Sequence, residues 1–418
     1  MENNKLIKAQ SDLVKQVGNA ISITNKLLSK PDEPLLIPYR RKDKWGFCLP
    51  DKTIVIECIF DFADRFRGEF ARVAIDNKYG YINTKGEFLI NCEFDSDAEY
   101  NTRFSEGIVL VRKDDKYLFI DNSGNYLNSN YYEAASPFLN GIAKVNKNNK
   151  IGYIDRNGNQ IINFLYDSGS SFNIFNKYAI VNRNQQWLII DKEGTFVKNF
   201  PYNSSIMKYC IENRMNIINE KGLHGFLNNR LENIIPCVYK YSRYYFSEGL
   251  VGAWKNHYEA GYIDVNGDEV IPFIYHNLEN FTDGLAGVCL RDKWGFVNKH
   301  NELVIPILYD EVGEFSEGLA PIKFNGKWGY INTEGIVVIE PVFEDAAQFN
   351  DGLARVVFEK KAGYIDQFGN HKIKCLYKPN TFNVADDMFF FTIGLKWVTL
   401  GDNRDGFINI EGIEYWED

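Results

Sequence analysis

This chain is poor in the residues and motifs that usually announce chemistry. Its seven cysteines, Cys48, Cys58, Cys92, Cys210, Cys237, Cys289 and Cys375, are odd in number and contain no CxxC pair. That pattern argues against a disulfide framework and fits reduced thiols. The five histidines, His224, His257, His276, His300 and His371, fall in different places along the chain, so no metal or nucleophile–base constellation is signalled. Neither GxxxxGK[ST] nor GxGxxG occurs, which removes the usual phosphate-cradling loops. No apolar run approaches the ~18 residues of a membrane-spanning helix. The first residues, "MENNKLIKAQSDLVKQVGN", are too polar for a signal-peptide core. A cytoplasmic protein without a membrane span is expected. Basic charge is also in deficit. Lys and Arg total 47 against 56 Asp and Glu, a net charge of -9. Duplex-binding proteins carry a basic face, so nucleic acid is not an expected partner. No catalytic residue, cofactor or metal is implied.

Aromatic residues are abundant, at 15 % of the chain, and they recur in phase. Lys327–Asp366 shows one full period, opening on Trp328-Gly329-Tyr330-Ile331 and closing on Ala362-Gly363-Tyr364-Ile365, 34 residues later. The glycine slot is filled by Gly46, Gly80, Gly152, Gly225, Gly261, Gly295, Gly329, Gly363 and Gly406. Leu118 and Leu188 take it in weaker copies, making eleven slots with a worn stretch around 170–224. Two further signals accompany each slot. One is an apolar pair leading to Tyr or Phe, as in "VIPILYD" from Val304. The other is Phe-polar-acid-Gly-Leu, as in "FSEGLAPI" from Phe315.

Short, alternating runs rich in β-branched and aromatic residues read as strands. "NTEG" places Gly335 where a turn needs positive φ, and "DVNG" before Asp268 is the same turn. The latter only superficially resembles a calcium loop, because it lacks the ligand spacing and the distant bidentate Glu. Each unit is therefore expected to be a meander of about three antiparallel strands. Glu344–Phe349 ("EDAAQF") reads as an irregular or single-turn connector. Glycine weakens a strand and persists where another group must come close. Gly329 is expected to make room for an aromatic from an adjacent strand or unit. Cys58, Cys92, Cys237 and Cys375 share a slot that elsewhere holds Phe164, Phe273, Ile307 or Pro341, so it reads as packed interior.

These residues resemble the WG-repeat family, whose KWGY/F motif stands here at Lys44–Phe47, Lys293–Phe296 and Lys327–Tyr330. The resemblance runs over about 40–415. It implies a bacterial β-repeat protein and carries no defined chemistry. The departures lie between about 115 and 224.

A unit of this size cannot bury its own sheet faces, so neighbours must stack. Propeller blades run about 40–50 residues and rings close at about 4–8 blades. The expected fold is thus all-β, ~34-residue β-meander repeats over 35–375 stacked as an open superhelical array. A closed propeller-like ring is the alternative. Residues 376–418 read as a degenerate last repeat and cap.

The first thirty residues differ. Leu6, Leu13, Val17, Ile21 and Leu28 lie on one heptad-like face, which predicts a short amphipathic α-helix over 1–30. Such a helix caps the first repeat or docks a partner. Function follows by elimination: a non-catalytic scaffold for a protein partner. The alternative is glycan binding through a partly exposed row of Trp45, Trp294 and Trp328. A third reading puts an enzyme or effector site in the irregular middle.

Overall fold

The computed structural model describes residues 35–95, 103–200, 210–211, 213–379, 394–401 and 404–417. Residues 1–34, with the expected N-terminal helix, lie outside the described residues. The region 311–343 shows how a unit is built. A two-residue strand, Glu311–Val312, pairs with Leu319–Phe324. That strand pairs with Lys327–Asn332, and the last with Val337–Phe343, all antiparallel. In the outer strand Ile339 and Phe343 are buried between exposed neighbours, the alternation of a half-buried strand. The second strand is entered through a two-residue turn in which Glu317 and Gly318 have φ of 55° and 81°. Both positions of this hairpin type need positive φ, which favours the glycine.

A complete unit thus has four strands where the sequence predicts three. The missing one comes from the presumed connector: within Glu344–Phe349, Asp345–Ala346 pairs with Val357 and Val356 as the first strand of the next unit. Two residues are too few to show a period, so propensity and alternation miss it.

Among the described residues, nine four-stranded sheets and two two-stranded sheets follow one another along the chain. We number these units 1 to 11. The two-stranded ones are unit 3, with Ile108–Lys113 and Lys116–Asp121, and unit 11, with Leu395–Gly401 and Arg404–Asn409. The units close into a propeller ring. Trp416–Glu417 pairs with Arg40 and Arg41 of unit 1 and supplies its fourth strand. Trp45 of unit 1 stacks on Trp397 of unit 11 at 5.2 Å between ring centroids. The open array is therefore corrected to the closed alternative. A two-residue inner strand lets a short repeat complete a blade, and the segment after Leu376 brings the seam strand.

The core is distributed between units. One cluster joins Phe296 and Ile305 of unit 8 to Phe315 and Ile322 of unit 9, and the next joins Tyr330 and Ile339 to Phe349 and Val356 of unit 10. The cluster at the seam holds Phe47 and Tyr39 of unit 1 together with Leu395, Phe407 and Tyr415 from the other end of the chain. Repeated contacts fasten these joints. Tyr330 packs against Phe349 with ring centroids 4.9 Å apart and donates its hydroxyl to the Ala347 carbonyl at 2.7 Å. Tyr153 with Phe172 and Tyr262 with Phe281 do the same. Such an aromatic pair is worth about 0.5–1.5 kcal/mol beyond its burial, and the hydrogen bond about 1 kcal/mol. Glu317 accepts the Gly352 N–H at 3.1 Å, linking one turn to the next.

The glycine slot has a different cause from the one its aromatic neighbour implies. A side chain on Gly329 would begin 2.4 Å from the Ile339 carbonyl oxygen. At Gly46, Gly80 and Gly363 the same outer-strand carbonyl lies 2.3–2.6 Å away. Between Trp328 and Tyr330 the facing outer strand runs from Phe343 to Ile339, so it bulges against the glycine. The group that comes close is chiefly backbone; at Gly152 the Phe164 ring, at 3.0 Å, also crowds in. The cysteine slot rides on this bulge. Cys58, Cys92, Cys237 and Cys375 are half-buried there, not fully interior.

Candidate functional site

Most turns between the third and outer strands present a polar tip. The residue before the positive-φ position of the turn, glycine in most units and Asn301 in unit 8, is Lys85, Asn157, Asn266, His300 or Glu334 in other units. Unit 10 places Phe368 there, 83 % exposed. Its backbone is fixed: Asp366 Oδ1 accepts the N–H groups of Phe368 at 3.0 Å and Asn370 at 2.9 Å. Those bonds, with Asn370 Nδ2, hold the Asp366 carboxyl below its usual range against a larger desolvation effect. The ring therefore projects from a rigid turn.

Phe368 borders a shallow groove between units 9 and 10. Phe343 forms its floor, in edge contact with Phe358 and His371 at 6.4 and 6.3 Å. Val338 and Val342, 41 % and 46 % exposed, make one wall, and Phe358, 40 % exposed, the other. The outer strand of unit 8 also exposes Leu303, Val304 and Leu308. Contiguous exposed apolar surface of this kind marks an interaction site. The strand edge itself is blunted by its bulge and by Pro306 and Pro341, which suits side-chain contact rather than strand addition. An apolar residue in an otherwise polar turn slot was visible at "QFGN" and is the signal that sequence reading passed over.

The expected tryptophan row is broken. Trp45 is only 5 % exposed and sits in the seam between Trp397 and Phe407. Trp294 and Trp328 are half-buried in adjacent units, and Lys323 Nζ lies 5.7 Å from the Trp328 ring centre. On either side of them the slot holds buried Ala260 and Ala362. Leu6, Leu13, Val17, Ile21 and Leu28 lie outside the described residues.

In the irregular middle, His224 occupies the tryptophan slot of unit 6. Its Nδ1 lies 3.2 Å from Ser242 Oγ, which also accepts from Asn216 Nδ2 at 2.9 Å. His224 and Ser242 are each 9 % exposed, and burial pushes the imidazole pKa down. The trio forms a buried polar link between units 6 and 7. No group of three or more His, Cys, Asp or Glu side chains that could hold a metal is found among the described residues. The turn "DVNGDE" is a hairpin in which Asp264 Oδ1 accepts from Asn266 and Asp268.

The WG containing repeat matches the chain seven times, over 45–79, 79–117, 119–150, 151–187, 261–294, 294–328 and 328–361. Together these spans exceed half the chain. The protein belongs to this family. No curated protein matches it. Similar solved structures include a eukaryotic initiation factor, at 11 % identity over 74 % of this chain and 95 % of that one, with a TM-score of 0.44. BamB from Moraxella catarrhalis aligns at 9 % identity over 74 % and 97 % of the two chains, with a TM-score of 0.25. PorZ of Porphyromonas gingivalis aligns at 10 % identity over 91 % and 60 %, with a TM-score of 0.26. At this level of similarity none of them bears on function.

Proposed function

We propose that this WG-repeat ring is a non-catalytic scaffold that binds a protein partner through the apolar groove between units 9 and 10. The observation that carries the reading is Phe368. A phenylalanine 83 % exposed on a hydrogen-bonded turn, where other units place polar residues, has no role in the fold that a polar residue would not fill. Aromatic anchors beside an apolar pocket are the usual energetic centre of a protein interface. The groove's aliphatic walls suit an apolar segment of a partner. The free, half-buried or buried thiols support a reducing compartment such as the cytoplasm.

The test is affinity capture with cross-linking mass spectrometry, using the full chain, Phe368→Asp, Val342→Asp and a chain lacking residues 1–34. A partner should be retained by the full chain, lost by both groove variants, and cross-linked near 338–371. A partner set indifferent to both groove variants would overturn the reading. Loss on removing residues 1–34 would instead assign docking to the face of Leu6, Leu13, Val17, Ile21 and Leu28.

A further inference from the structure

The histidines scattered in sequence are not all scattered in space. Three of the five gather on one rim of units 6 to 8, interleaved with tyrosines. The His224 and Tyr241 rings lie 6.4 Å apart, Tyr241 and His257 5.3 Å, and Tyr258 and His276 6.0 Å. Trp254 ties the two stacks together, since its indole N–H donates to the His276 carbonyl at 3.3 Å. Tyr241 is 40 % exposed and Tyr258 72 % exposed, and His257 is exposed beside them.

A local insertion builds this patch. In other units the hairpin between the second and third strands turns on two residues with positive φ, such as Arg291-Asp292 or Glu359-Lys360. In unit 7 the register slips between Trp254 and Asn256, and no residue from Asn256 to Glu259 has positive φ. Asn256 holds the longer tip. Its Oδ1 accepts the Tyr258 N–H at 2.9 Å, and its Nδ2 donates to Glu259 Oε2 at 2.7 Å. The extra length presents His257 and Tyr258 side by side on a fixed backbone. Their side-chain polar atoms, and the Tyr241 hydroxyl, have no hydrogen-bond partner among the described residues.

We propose that this patch binds a neutral oligosaccharide. Rings with polar edges offer a flat face for the C–H side of a sugar and hydroxyl or imidazole groups for its oxygens. Tyrosine does this at low entropic cost, with two side-chain torsions. Charge argues against anionic ligands: Lys240, with its amine 5.9 Å from the Tyr241 ring centre, stands against Glu259, and Lys255 beside the tip is ion-paired with Glu269 at 3.1 Å. An apolar peptide would find no aliphatic side chain in the tip from Asn256 to Glu259 or in its ring partners Tyr241 and His276. Because the accessible rings run from Tyr241 through His257 and Tyr258 to half-buried His276, with His224 buried behind them, a chain of sugars fits better than a single residue. The site is independent of the groove at Phe368.

Calorimetry of the full chain against cellohexaose, chitohexaose, maltohexaose and mannohexaose, with a sulfated hexasaccharide as the charged control, tests this. At least one neutral probe should bind. Tyr258→Ala and Tyr241→Ala should each weaken it about tenfold or more, Tyr258→Phe less, and Phe368→Asp not at all. Tyr258 is exposed enough that its variants should keep the parent melting temperature. The proposal is overturned if no neutral probe binds, if only the sulfated probe binds, or if folded Tyr258→Ala and Tyr241→Ala bind as the parent does.

Discussion

Unit 9 and unit 5 share one four-stranded plan and differ at one decisive slot. Unit 9 has Gly329, and its outer strand bulges so that Trp328 faces Phe343 while Tyr330 faces Ile339. Unit 5 has Leu188, and its outer strand runs in step there, with Leu188 facing Asn199 and Ile189 facing Lys198. Unit 3, with Leu118, goes further. Its third strand meets the following segment only at the isolated bridges Tyr117–Tyr132 and Ile120–Tyr126. The glycine therefore does not serve the tryptophan beside it. It is the space into which the neighbouring strand folds, and where the space is filled the fold is lost with it.

The sharpest way to break this comparison is to fill the slot in the regular half. Gly329→Leu forces a side chain into the Ile339 backbone and should cost about 3 kcal/mol or more, read as a fall in the urea midpoint. Leu188→Ala, at a half-buried site with no such bulge, should cost about 2 kcal/mol or less. Equal effects would refute the steric account. Next in size is the seam. Trp45→Ala removes a buried ring stacked on Trp397 and should cost about 3 kcal/mol by the same measurement. An open array with free ends would barely respond.

A smaller effect separates the clamps. Tyr330→Phe keeps the ring but removes the bond to Ala347, costing about 1 kcal/mol by thermal melting. Phe296 already fills the same slot in unit 8, so the variant should stay folded. Unit 5 has Ile189 there and lacks this clamp altogether.

The smallest effect concerns acid. Lys293 donates to Asp310 at 2.6 Å and the Gly326 N–H reaches it at 3.1 Å. These bonds hold the Asp310 carboxyl below the usual carboxylate range, the lysine contributing most. Asp61, Asp95 and Asp167 are lowered in the same way by Lys44, Lys78 and Lys150. In the unfolded chain these groups titrate near pH 4. Their contribution is thus complete above that value and is lost as pH falls through the lower native values. Melting temperature should drop below about pH 4, and Asp310→Asn should shallow that drop. Unit 5 has Gln186 in the lysine slot, paired with Asn199 at 3.2 Å, so it supplies no lysine to such a pair.

The sequence made the period, the long strands and the turns legible because each rests on local chemistry. Alternation marks Val337–Phe343, and the Asn-x-x-Gly turn marks Asn332–Gly335. What stayed hidden is non-local or too short. Asp345–Ala346 is strand only because Val357 and Val356 lie beside it. Closure depends on the small angle between successive units, which no single residue encodes. The candidate sites were half legible. Phe368 stood in plain view in a polar slot, whereas the gathering of His224, His257 and His276 needed three units brought to one rim.

The strand at Trp416–Glu417 has a consequence beyond the seam it seals. An unbounded stack can gain or drop a copy at little harm, since only the two flanks must refit. A circle has a whole-number circumference, and one copy more or fewer would alter the tilt at every joint. Substitution inside a copy leaves the count intact, as at Leu188, where the unit keeps its four strands.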